Sequence, residues 1–183
     1  MTDSISIDPH MTMTRLVELI PGAQRALFRQ YHIGGCASCA FEPGETLEAL
    51  CARNKLDLPE VITHLQASHQ HDEELQISAT DLAALRKAGE VRLVDIRSRE
   101  EFEATRIEGA VLLSQPVMQD ILGHWPREEL MVLYDHRGRQ SLDAAAYFLG
   151  QGFRNVRCLR GGIDAWSREA DATIPRYRLE LSA

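Results

Sequence analysis

The stretch MVLYDHRGRQSLDAAAYFLGQGFRNVRCLRGGIDAW, residues 131–166, decides the fold of this chain. Leu130 to Tyr134 is a short apolar run, as expected of a strand buried on both faces of a parallel sheet. The polar DHRGRQ that follows reads as a tight loop, and Ser141 to Gln151 carries the spacing of a strong helix. Val156 to Leu159 is a second strand, and Gly161-Gly162 supplies a turn before the helical stretch containing Trp166. Residues upstream repeat the alternation. Val91 to Arg97 is a strand, Arg99 to Thr105 helical, Ala110 to Leu113 a short strand, and Val117 to Gly123 a helix. Strands alternating with helices predict an α/β domain, a mainly parallel sheet with helices on both faces.

The first 67 residues are patterned differently. After an extended start at Ile5 to Ile7, closed by Asp8-Pro9, an apolar stripe runs over Leu16, Val17, Leu19 and Ile20. Pro21 is suited to the first position of a second helix, with Ala23, Ala26, Leu27 and Tyr31 at helical spacing and Gly34-Gly35 as its stop. Thr46 caps a third helix bearing Leu47, Leu50 and Cys51, and a fourth runs from about Pro59 through Val61, Ile62 and Leu65. SHQHDEELQ, residues 68–76, has almost no apolar content and reads as a linker. The expected organisation is a small all-α domain over 1–67, a linker over 68–76 and the α/β domain over 77–183.

The 183 residues hold 27 acids against 20 bases, a net charge of −7, with 44% apolar residues. That is the make-up of an ordinary globular protein. The acidic balance argues against a nucleic-acid or anionic-membrane partner, no window approaches the roughly 18 apolar residues of a membrane helix, and the start lacks a leader pattern. A cytoplasmic location is expected. In a reducing compartment the four cysteines, Cys36, Cys39, Cys51 and Cys158, are expected to be reactive, ligating or buried rather than structurally cross-linked.

Asp95-x-Arg97, Glu101-Phe102, Gly109-Ala110, the loop and helix of 135–151, Gly152-Phe153-x-x-Val156 and Gly161-Gly162-Ile163-x-x-Trp166 come in one order, and in that order residues 76–170 resemble a single rhodanese domain. The resemblance implies that the strand ending at Tyr134 delivers a sulfur-carrying cysteine into a cradle of backbone N–H groups at a helix N-terminus. Here that position is Asp135. Loop amides and a helix dipole favour any anion, so a carboxylate satisfies such a cradle while carrying no sulfur. Gln140 stands where the family often has arginine, although His136, Arg137 and Arg139 keep the rim basic around Gly138 and Ser141. These departures argue against conventional thiosulfate sulfurtransferase activity and for a pseudoenzyme. Asp135 reads foremost as a helix N-cap, with two alternatives: a permanent anion mimicking a loaded cradle, or a carboxylate nucleophile. Asp95 and Arg97 read as bracing residues, Cys158 as a small buried hydrophobe, and His124-Trp125 as part of a surface loop.

Residues 5–66 resemble the small helical family found beside hybrid-cluster proteins and named for a presumed redox disulfide. The proline before the second helix, the pair Cys36-Ala37-Ser38-Cys39, the Glu-Thr-Leu-Glu helix start and the Asp-Leu-Pro of the last helix carry that resemblance. Two cysteines in a Cys-x-x-Cys spacing close a small disulfide ring and lower one thiol pKa, as dithiol exchange or a persulfide carrier requires. A competing reading is a ligand site, zinc or an iron-sulfur cluster, on Cys36, Cys39 and Cys51 with one of His32, His64, His69 or His71. A third is thiols without reactivity, and Cys51 alone reads best as a core residue.

Together these readings predict a sulfur-handling or thiol-redox accessory protein. Cys36 and Cys39 would be its carrier pair, no cofactor is expected, and the partner would be a protein or sulfur carrier; homodimerisation is left open. Two alternatives stand beside it: a regulatory docking protein whose helical domain binds metal or a cluster, and an atypical sulfurtransferase that brings an N-terminal cysteine to the cradle.

Overall fold

The computed structural model describes residues 5–34, 41–89 and 91–177. The chain divides into two compact units between Glu74 and Leu75. The first contains α1 (Met13–Leu19), α2 (Ala23–Tyr31), α3 (Leu47–Asn54) and α4 (Leu58–Glu74). Its core gathers the expected stripes: Leu16 and Ile20, Ala23, Ala26 and Leu27, Leu47, Leu50 and Cys51, Val61 and Leu65. Thr46 caps α3 as its sequence position suggests, accepting a hydrogen bond from the N–H of Ala49 at 3.2 Å.

Four local features of this unit differ from the sequence reading. Residues 68–74 are the last two turns of α4 and not a linker. The hydrophobic pattern is silent there because the helix is held by a charge pair: Asp72, 5% exposed, takes both Nη2 bonds of Arg25 on α2 at 2.5 and 2.6 Å. Pro21 does not open α2, which starts at Ala23 behind the glycine Gly22. A side chain on Gly22 would run into the Arg25–Asp72 pair, meeting Asp72 Oδ2 and lying 2.7 Å from Arg25 Nη2. The helix ends at Tyr31 on a left-handed His32, two residues before Gly34, and the start at Ile5 forms no strand; Thr12 bridges Thr46 instead.

The second unit is the expected α/β domain. Its elements are β1 (Gln76–Ile77), α5 (Ala79–Ala88), β2 (Arg92–Asp95), α6 (Arg99–Ala104), β3 (Val111–Leu112), α7 (Gln115–His124), β4 (Met131–Tyr134), α8 (Gln140–Gly150), β5 (Val156–Leu159) and α9 (Gly162–Glu169). The five strands are parallel in the order β1-β5-β4-β2-β3. Every residue of the central β4 is buried, and alternate side chains feed opposite faces. Val132 and Tyr134 join α5 and α9 on one side, while Met131 and Leu133 join α7 and α8 on the other. Two elements escape the sequence pattern. β1 is too short to show periodicity, and α5 is announced only by Ser78, whose hydroxyl accepts from the N–H of Asp81 at 3.0 Å. Among the described residues no helix is long and apolar enough to cross a membrane.

Candidate functional site

The loop 135–141 leaves the C-terminal end of β4, the end at which ligands meet parallel sheets. Asp135 is 4% exposed and its carboxylate turns back into the loop. Gly138 donates its N–H to Oδ1, and Arg139, Gln140 and Ser141 donate theirs to Oδ2 at 3.0, 2.5 and 3.2 Å. The residue at the capping position of α8 is Arg139, which makes no side-chain cap bond. Asp135 supplies that function from four residues earlier and encloses its charge among four amides, a wider role than that of an ordinary N-cap.

Two glycines let the loop close this tightly. Gly138 has φ +76, and a side chain there would lie 2.7 Å from the N of Gly161 and 2.8 Å from the O of Leu159. Gly162 has φ +61, and its side chain would lie 2.6 Å from the backbone of His136. The contact is reinforced by Ile163 N–H donating to Asp135 O at 2.9 Å and Asp164 N–H to His136 O at 3.2 Å. The Gly-Gly-Ile sequence therefore presses the N-terminus of α9 against the loop.

A buried polar network braces the other side. Arg97, at the end of β2, grips Asp95 through Nε at 2.9 Å and Nη2 at 2.6 Å, and reaches Thr105 O at 2.7 Å. Its Nη1 donates to Tyr177 Oη at 2.6 Å, and Tyr177 Oη donates to Glu101 Oε1 at 2.7 Å. Burial disfavours the Arg97 charge, yet the bonds to Asp95 and Tyr177 hold its pKa above the ordinary value. Burial, seconded by Glu101, pushes the Tyr177 phenol up to about 12. The Tyr177 ring meets the His136 ring at 4.4 Å, so the C-terminal tail touches the loop directly. Nothing in the sequence pattern points to Tyr177, which lies 80 residues from Arg97 and in no regular element.

The cysteines separate. Cys36 and Cys39 lie outside the described residues. Cys51 is 2% exposed within the apolar core of the first unit, and burial pushes its thiol pKa up, the opposite of what a metal-bound or nucleophilic sulfur needs. Among the described residues no group of His, Cys, Asp and Glu is placed to hold a metal ion. His64, offered above as a ligand, bonds Ala26 O at 3.1 Å and packs edge-on against Tyr31. Cys158 is fully buried on β5, its Sγ 3.1 Å from the carbonyl of Ser141. His124 and Trp125 at the end of α7 share Asp120, at 2.9 and 3.0 Å.

Residues 78–169, half of the chain and all of the loop, match the rhodanese-like domain. The chain belongs to the rhodanese-like family. It is 36% identical over 83 residues to the thiosulfate sulfurtransferase GlpE of Pseudomonas syringae pv. syringae, a match spanning 45% of this chain and 77% of that protein. The GlpE of Shewanella oneidensis is 33% identical over 96 residues, spanning 52% and 94%. The adenylyltransferase and sulfurtransferase UBA4 of Candida albicans is 29% identical over 93 residues, 46% of this chain and 21% of its own. Among solved structures, the human single-domain sulfurtransferase TSTD1 is 25% identical with a TM-score of 0.47, covering 52% of this chain and 96% of its own. In this rhodanese-like unit the loop that presents its amides at the end of β4 is filled by the chain's own carboxylate.

Proposed function

We propose that this protein is a sulfur-handling or thiol-redox accessory protein in which Cys36 and Cys39 carry the chemistry and the rhodanese-like unit is a docking domain with a non-catalytic loop. The observation that carries this reading is the Asp135 carboxylate, which takes four loop amides and leaves the anion seat no room for a persulfide. Kinship with thiosulfate sulfurtransferases supports sulfur as the cargo. The Cys36 thiolate would attack the outer sulfur of a persulfide donor, expelling the donor's thiolate. An acceptor thiolate would then attack the outer sulfur now on Cys36, and the breaking S–S bond returns its electron pair to Cys36. Attack by Cys39 on the inner sulfur instead gives a Cys36-Cys39 disulfide and releases hydrosulfide. Neither route needs a metal or an organic cofactor.

Intact mass of the full chain tests this after exposure to a low-molecular-weight persulfide. The expected result is one added sulfur atom that a thiol removes, lost in Cys36→Ser and retained in Asp135→Asn. Retention of the added sulfur in both Cys36→Ser and Cys39→Ser would overturn the assignment, and its loss in Asp135→Asn alone would return the chemistry to the loop.

A further inference from the structure

The carboxylates beside the loop are already engaged, including Asp143 in the first turn of α8, which has a partner of its own. Asp135 is enclosed by amides, and Asp164 is held by Arg176 at 2.8 and 3.3 Å and by Arg168 at 3.6 Å. The loop's own guanidinium groups are not. Arg137 and Arg139 are exposed, and among the described residues neither forms an ion pair. Beside Arg137 opens a cleft of about 530 Å³ lined by His136, Arg137, Asp164, Arg176 and Tyr177. His136 is 8% exposed and its Nδ1 has no hydrogen-bond partner, an unusual state for a buried ring nitrogen. This end of the sheet is thus locally basic on a chain of net charge −7.

We infer that this rim is a docking surface for an acidic segment of a partner protein, an inference that rests on the docking role proposed above. The seat suited to one small anion is filled by Asp135, and the unpaired cations, Arg137 and Arg139, stand on the exposed rim around it. A ligand presenting several carboxylates across a surface matches that arrangement, and a single ion does not. Each guanidinium fork takes a carboxylate bidentately, and the opposed sign of rim and partner speeds encounter and orients it. Separate carboxylates meet Arg137 and Arg139, beside the cleft that His136 lines.

The test follows backbone amides of 136–141 by NMR in the full chain at low salt, with N-acetyl hexaglutamate as probe and hexaglutamine and inorganic phosphate as comparisons. Hexaglutamate is expected to shift these amides and hexaglutamine to leave them, with affinity falling as salt rises. The double variant Arg137→Gln/Arg139→Gln should weaken binding at least tenfold, and Arg137→Lys/Arg139→Lys, which keeps charge but loses the forks, by less. Arg154→Gln, an exposed arginine elsewhere on the unit, should bind as the parent does. The absence of shifts, equal affinity in the double Gln variant, or phosphate acting at lower concentration than hexaglutamate would each overturn the inference, the last by making the rim a small-ion site. Sulfur loading of Cys36 with no hexaglutamate binding would remove this inference alone, and binding without loading would remove the thiol reading alone.

Discussion

Replacing Asp135 by alanine strips the acceptor from four backbone N–H groups at once, and the cost follows from where those groups lie. Arg139 and Gln140 are exposed, so water replaces the lost bonds there at little expense. Gly138 and Ser141 are buried, and an unsatisfied buried N–H costs about 1–3 kcal/mol each. Adding about 1 kcal/mol for the lost helix cap gives a destabilisation of about 3–7 kcal/mol. Both tryptophans, Trp125 and Trp166, belong to the second unit, so tryptophan fluorescence during urea unfolding reports on that unit without interference from the first. The emptied cradle should also become an anion site: acetate or formate at about ten times its dissociation constant should restore about 1.4 kcal/mol, while chloride at matched ionic strength restores less. Asp135→Asn keeps one acceptor oxygen and should cost about half as much as alanine. A loss below about 1 kcal/mol in Asp135→Ala, with no anion-specific recovery, would show that the four amides do not depend on this carboxylate and would refute the enclosed-anion picture.

Four further outcomes are expected. Tyr177→Phe removes the bonds to Arg97 and Glu101 and should destabilise the second unit by about 1–3 kcal/mol in the same urea assay. The Tyr177 phenol also carries a pH signature. Its pKa is raised to about 12 in the fold, so its contribution is complete below the unfolded value of about 10 and is lost as pH climbs towards 12; an alkaline limb equally steep in wild type and Tyr177→Phe would contradict this. Gly162→Ala places a side chain 2.6 Å from the His136 backbone at a positive φ, and a melting temperature within about a degree of wild type would contradict that packing. Cys51 and Cys158, both buried, should resist iodoacetamide in the native protein and react on unfolding, as peptide mass mapping would read; rapid native labelling of either would place it nearer the surface than described.

The parallel sheet was legible because its elements are local: a four-residue apolar strand, a glycine-punctuated loop and an apolar-faced helix each declare themselves within a dozen residues. Residues whose partners are distant in sequence were not. The final turns of α4 read as a linker because what holds them is one ion pair between residues 47 apart, which leaves no periodic trace. Tyr177 lies in an irregular tail and acquires its role only when folding brings it to Arg97, Glu101 and His136.

By itself the sequence determined the two-part organisation, the α/β class of the second part and the identity of the residue at the end of β4, because hydrophobic period and residue order are properties of the chain. Tertiary structure alone decided that Asp135 gathers four amides, and that Arg137 and Arg139 stand exposed beside an unpartnered ring nitrogen of His136. Hydrogen-bond satisfaction, burial and net local charge depend on which distant groups meet, and that meeting is fixed only when strands and helices pack.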